Sequence, residues 1–138
     1  MARRRSPALT DGELRIMRVL WARDRATVVD VVEALNDTPK PAYNTVLTLL
    51  RILERKRYVT HEKEGRAFTY MPIVDRGQAR RRALTHLLTR FFDNSREQLV
   101  LDLLGHDHAD PEELQRVREL IENAPVTADV RRKGRKRR

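Results

Sequence analysis

Four side chains between residues 44 and 55 have the types and spacing to read nucleic acid. Asn44, Thr48, Arg51 and Arg55 fall within an arc of about 60° if the segment is helical. The arc carries an amide, a hydroxyl and two guanidinium groups, and no carboxylate to repel a phosphate backbone. Such groups match base edges and phosphate oxygens. Thr45 stands at the margin of the arc. Tyr43 precedes it, placed either to meet sugar or a thymine methyl or to pack against the helix before. A second basic feature follows, with Lys63 and Arg66 flanking the dipeptide step Glu64-Gly65.

A helix must present the first group. Val46, Leu49, Leu50 and Leu53 recur at helical spacing on the opposite side, so a helix from about Pro41 to Lys56 buries one face and exposes the other. Val59–Glu64 and Ala67–Met71 read as short strands with Gly65-Arg66 at the turn. Upstream, Thr10 with Glu13 forms a capping box before Leu14, Ile16, Met17, Leu20 and Trp21, and Thr27 with Asp30 opens a second helix through Val28, Val32 and Leu35. The run Asn36 to Pro41 ends it. Three helices and a basic-tipped hairpin in this order match a winged helix-turn-helix. An ordinary core helix beside an ordinary hairpin fits the same pattern.

Other chemistry finds little support. The chain has no cysteine, which excludes disulfides, thiolate metal sites and cysteine nucleophiles. His61-Glu62 opens like a zinc-protease motif, but Gly65 stands where the second histidine is required. His61 is expected at the start of the wing, within reach of a phosphate. His106, Asp107, His108 and Asp110 contain metal-ligand types, yet they read more simply as a polar loop (Gly105 to Ala109) before a helix cap. His86 is placed on the polar side of a helix. The two serines, Ser6 and Ser95, have no activating base nearby, and the glycines are scattered singly. An enzyme, a cofactor and a metal are therefore not expected.

The net charge of +9 sits at the ends. Arg3, Arg4 and Arg5 and the seven Lys/Arg between Arg131 and Arg138 exceed it, leaving −1 for residues 6–130. Within that body, residues 6–74 carry +2 and residues 75–123 carry −2, so the N-terminal half is the better partner for a polyanion. The tail either adds sequence-independent phosphate affinity or is a solvated, disordered end. No apolar run approaches the ~20 residues of a membrane span, and the N-terminus lacks the apolar core of a secretory signal. A reducing cytoplasm is the expected location.

Beyond residue 75 the chain reads as three short amphipathic helices. Asp75 caps the first, with Ala79, Ala83, Leu84, Leu87, Leu88, Phe91 and Phe92 among arginines. Ser95 with Gln98 opens the second, with Leu99, Val100, Leu103 and Leu104. Asp110-Pro111 opens the third, with Leu114, Val117, Leu120 and Ile121. Each has one apolar face and no second layer to cover it, which predicts a two-fold homodimer. The expected class is mainly α with a small β wing. A basic arm (1–8) precedes a winged-helix domain (9–74), then come a three-helix dimerisation domain (75–124) and a disordered basic tail (125–138).

Taken in order, several groups resemble the penicillinase-repressor (BlaI/MecI/CopY) family of winged-helix regulators. They are Leu9-Thr10 with Glu13, Val19-Leu20-Trp21, Tyr43-Asn44-Thr45-Val46 with Thr48-Leu49-Leu50, Leu53-Glu54, Lys63-Glu64-Gly65-Arg66 with Phe68 and Tyr70-Met71-Pro72, and the run Ser95 to Leu104. The resemblance spans nearly all of residues 9–124 and implies a homodimeric repressor of antibiotic-resistance genes that binds an inverted-repeat operator in double-stranded DNA. It implies base contacts from Asn44, Thr45 and Thr48, contact of Arg51 with phosphate or a base, and placement of Lys63 and Arg66 of the wing near the DNA backbone; Tyr43 and Arg55 join them from the residue pattern alone. It also implies induction through a membrane-bound sensor metalloprotease that cuts the dimerisation region at an Asn-Phe pair after Leu-Val-Leu. Here Leu99-Val100-Leu101 is followed by Asp102-Leu103, so the surroundings match and the scissile pair does not. The cysteine-rich hook of the copper branch is absent. A different class, a non-specific architectural protein bound through its basic arms, accounts for the charge but uses none of the polar helix face.

Overall fold

The computed structural model describes residues 8–36, 38–106 and 110–125, without the side chain of His106. The order is α1 (Asp11–Arg23), β1 (Ala26–Thr27), α2 (Val28–Ala34), α3 (Tyr43–Arg55), β2 (Val59–Glu64), β3 (Ala67–Pro72), α4 (Arg76–Phe91), α5 (Arg96–His106) and α6 (Pro111–Glu122). The three strands form one antiparallel sheet in the order β1-β3-β2. Lys63 pairs with Phe68, His61 with Tyr70 and Thr27 with Thr69.

Local chemistry sets most boundaries. Thr10 with Glu13, Thr27 with Asp30 and Asp75 with Gln78 form reciprocal capping boxes. Hydrogen bonding from Thr27, backbone first and then hydroxyl, holds the Asp30 carboxyl below its usual range. Asp110 accepts from Glu112 N–H, and Pro111 fills the first helical position of α6. Helix α3 ends in a Schellman motif: Tyr58 N–H donates to Leu53 C=O at 2.9 Å and Arg57 N–H to Glu54 C=O at 3.0 Å. That closure puts Arg57 at φ 68°, a conformation unfavourable to a side chain, and turns the chain into the wing. Gly65 at φ 63° does the same at the hairpin tip, where an added Cβ would meet nothing; the need is conformational.

The core of the winged helix joins Ile16, Met17 and Leu20 of α1 to Val28 and Val31 of α2. Val46, Leu50 and Leu53 of α3, Tyr58 in the turn after it, and Val59 and Tyr70 of the sheet pack with them. Two expectations for it are corrected. Val31 is fully buried and Val32 only partly, so α2 is turned slightly from the expected face. Strand β1 was not anticipated, because two residues carry no alternation and Thr27 already reads as a cap.

The chain separates into two compact units with the break between Ser95 and Arg96. The expected boundary at 74/75 therefore moves to the end of α4, because the start of that helix is tied to the winged helix. Trp21 Nε1 donates to Val74 C=O at 2.8 Å, Arg76 lies over the Trp21 ring, Arg82 lies over the Tyr58 ring, and Ala79 joins the core. In the second unit α5 runs through Gly105 and His106, so the expected loop begins later than Gly105; residues 107–109 lie outside the described residues. No described residue of 96–125 is buried.

Candidate nucleic-acid interface

Helix α3 carries the site, and its orientation is over-determined. Its inner face is sealed by Val46, Leu50, Ile52 and Leu53. Its C-terminal end is fixed by an ion pair from the first helix: Lys56 Nζ lies 2.7 Å from Glu13 Oε1, with both side chains under a tenth exposed. Lys56 also donates to Ala8 C=O at 2.9 Å, and Glu13 Oε1 accepts from Thr10 N–H at 3.0 Å. One carboxylate thus caps α1 and holds the end of α3. The partners are 43 residues apart, and neither lies in a motif that announces the other. A buried, hydrogen-bonded pair of this kind fixes geometry more than it adds stability, but removing one partner strands the other charge.

The outer face is open. Asn44, Thr45, Thr48, Arg51 and Arg55 are all exposed, and Asn44, Thr45, Thr48 and Leu49 line one shallow depression. Among the described residues the side chains of Asn44, Thr45, Thr48, Arg51 and Arg55 make no hydrogen bond or ion pair, so their polar groups are available to a ligand. Tyr43 is half exposed and borders the same surface. The Tyr70 phenol, inside the sheet, is pushed up by burial and by the nearby Glu54 carboxylate, and Arg51 opposes this.

The wing divides its charges. Arg25 bridges Glu62 and Glu64 at 3.1 Å each, and Thr69 Oγ1 donates to Glu64 at 2.6 Å. Both wing carboxylates are therefore compensated on one face. Lys63 and Arg66 are exposed and, among the described residues, unengaged. Lys63 lies on the other face, in register with exposed Phe68. His61 does not stand free for phosphate as expected. Its Nδ1 lies 2.8 and 2.9 Å from the two oxygens of Glu54, and its ring packs edge-on to Phe68. It clamps the base of the wing to α3. Sequence spacing hides this contact, since Glu54 and His61 belong to different elements.

The residues expected at a dimer interface lie on α4, α5 and α6. Leu84, Leu87 and Phe91 of α4 are exposed, as are Val100, Leu103, Leu104, Leu114, Leu120 and Ile121. Leu99 and Val117 are intermediate. Leu88 is the exception: it is buried within its own chain, so α4 turns it inward. In the expected cleavage region Leu101, Asp102 and Leu103 are exposed within helix α5, and Gln98 Nε2 donates to Asp102 Oδ1 at 2.8 Å. Among the described residues no group of side chains has metal-site geometry, and no helix is long and apolar enough to cross a membrane.

A family model described as penicillinase repressor matches residues 9–123. The penicillinase repressor of Bacillus licheniformis is 29% identical over 116 residues, covering 84% of this chain and 91% of that protein. The transcriptional regulator BlaI of Mycobacterium tuberculosis is 33% identical over 107 residues, covering 74% and 78%. Among solved structures, the solution structure of the DNA-binding domain of the repressor BlaI is 32% identical with a TM-score of 0.47, covering 55% of this chain and 93% of that one.

Proposed function

The chain belongs to the penicillinase repressor family, and from that premise we propose that it is a homodimeric, sequence-specific DNA-binding transcriptional repressor, not an enzyme. The observation that carries this reading is the outer face of α3. Five exposed polar or cationic side chains there lack partners among the described residues, on a helix whose inner face is sealed. Asn44, Thr45 and Thr48 read base edges in the major groove of double-stranded operator DNA; Tyr43 contacts sugar or a thymine methyl. Arg51 and Arg55 from the helix and Lys63 and Arg66 from the wing hold phosphates and set the register.

Two copies, joined through α4, α5 and α6, present two such helices to an inverted repeat with half-sites one helical turn apart or more. Exposed apolar side chains on all three helices support this pairing. Release from DNA follows loss of the dimer, because one half-site offers half the contacts. Cleavage around Leu101, Asp102 and Leu103 by a membrane-bound sensor metalloprotease would remove α6 from the dimer. The bond lies within α5, so that helix must open locally before a protease can grip it. The repressor works in the cytoplasm.

Substitution tests the assignment. Asn44→Ala and Thr48→Ala should each weaken binding to the DNA upstream of the gene by about 5- to 150-fold, the equivalent of about 1–3 kcal/mol. Affinity for random DNA and thermal stability should stay the same. Lys63→Ala and Arg66→Ala should weaken both DNAs alike and reduce the salt slope by about 0.9 each. Equal losses on both DNAs from Asn44→Ala and Thr48→Ala would count against base reading.

A further inference from the structure

A cavity of about 310 Å³ lies between the start of α4 and the first helix, away from the polar face of α3. Its apolar lining comes from Ala8, Leu9, Leu14, Trp21, Ala79 and Ala83. Three exposed arginines, Arg18, Arg76 and Arg80, also line it, and among the described residues no carboxylate does. Arg76 lies 5.2 Å over the Trp21 ring, while Arg18 and Arg80 make no hydrogen bond or ion pair among the described residues. The walls are anchored: Trp21 Nε1 is held by Val74 C=O, and Ala8 C=O by Lys56.

We propose that this cavity binds a compact amphipathic anion, an aromatic or branched aliphatic carboxylate whose apolar body rests on Trp21 and Leu14 and whose carboxylate is held by Arg18, Arg76 and Arg80. Size, apolar lining and a few convergent polar groups are the attributes of a small-molecule site. Guanidinium groups favour planar carboxylates in bidentate geometry. Three like charges around an apolar hollow repel one another until an anion joins them, so charge complementarity selects an acid over its neutral or cationic analogue. A basic ligand is disfavoured there for the same reason.

Trp21 is the only tryptophan of the chain and reports on the cavity directly. The full chain is titrated with 3-phenylpropionate and with its uncharged amide while Trp21 fluorescence is followed. A saturable change with the acid is expected, with the amide at least 10-fold weaker. Arg18→Gln and Arg80→Gln, both at exposed positions, should each weaken the acid at least 5-fold, and Ala83→Phe should abolish the response by filling the cavity. No saturable change up to 10 mM acid, equal affinity for acid and amide, or unchanged affinity in the two glutamine variants would overturn the proposal. The readout needs no DNA, so its failure leaves the DNA-binding reading untouched, and a failure of that reading leaves the cavity to be judged by fluorescence alone.

Discussion

The winged helix and the C-terminal helices solve the same problem differently. Residues 9–79 close a core in which Met17, Leu20, Val31, Leu50 and Leu53 are fully buried. The described residues of 96–125 bury none of their side chains, although α5 and α6 carry six large exposed aliphatics besides Leu101. One half is complete as a single chain; the other consists of helices that are marginal without a surface to rest on. The difference teaches where function is kept. On the proposed function, the DNA-reading half needs a fixed shape, whereas the half proposed to control release benefits from being stable only in a pair.

Charging the second half should break the comparison most strongly. Leu103→Asp with Leu120→Asp is expected to give a monomer by sedimentation and to lower affinity for the upstream DNA by about 10²- to 10⁴-fold. The thermal transition of the winged helix should remain in place. A dimer of unchanged mass would show that these faces are not the interface.

The next effect lies inside the winged helix. Glu13→Ala leaves Lys56 buried without its anion and should destabilise this half by about 3–5 kcal/mol in denaturant unfolding. Glu13→Ala with Lys56→Met should recover much of the loss, since neither charge is then stranded. Dimer affinity should not move, which separates the two halves cleanly.

A smaller effect is pH-dependent. The folded Asp30 carboxyl titrates below its usual value of 3.8, so the unfolded chain binds the proton more readily. Its stabilising contribution is present above that value and is lost as pH falls through the folded value. Thr27→Ala, which removes the cap, should cost about 0.5–2 kcal/mol at neutral pH and progressively less below pH 4. A cost independent of pH would place the effect in packing, not in the Asp30 hydrogen bonds.

Much of the reading head was legible because its determinants are local. Thr10 with Glu13 and Thr27 with Asp30 lie three residues apart and behave as capping boxes, and Asp75 caps α4 as its type suggests, with Gln78 as the partner only the structure shows. The polar arc from Asn44 to Arg55 follows from helical period alone. What stayed hidden was long-range. The Glu13–Lys56 lock, the His61–Glu54 clamp and the docking of α4 through Trp21 and Tyr58 each join elements whose meeting no spacing encodes. The boundary near residue 74 was misplaced for the same reason: Asp75 starts a new helix, and a new helix is not a new unit. Leu88 reads as one more residue of an apolar stripe, yet its own chain covers it.

The central claim is that the outer face of α3, held in duplicate, discriminates DNA sequence. The most direct measurement is the affinity of the full chain for the DNA upstream of its gene against random DNA of equal length, repeated after removal of Arg131–Arg138. A ratio of about 10³ or more that survives loss of the tail is the expected result. A ratio near one, or binding that disappears with the tail, would contradict it and leave a scaffold held to DNA by its basic ends.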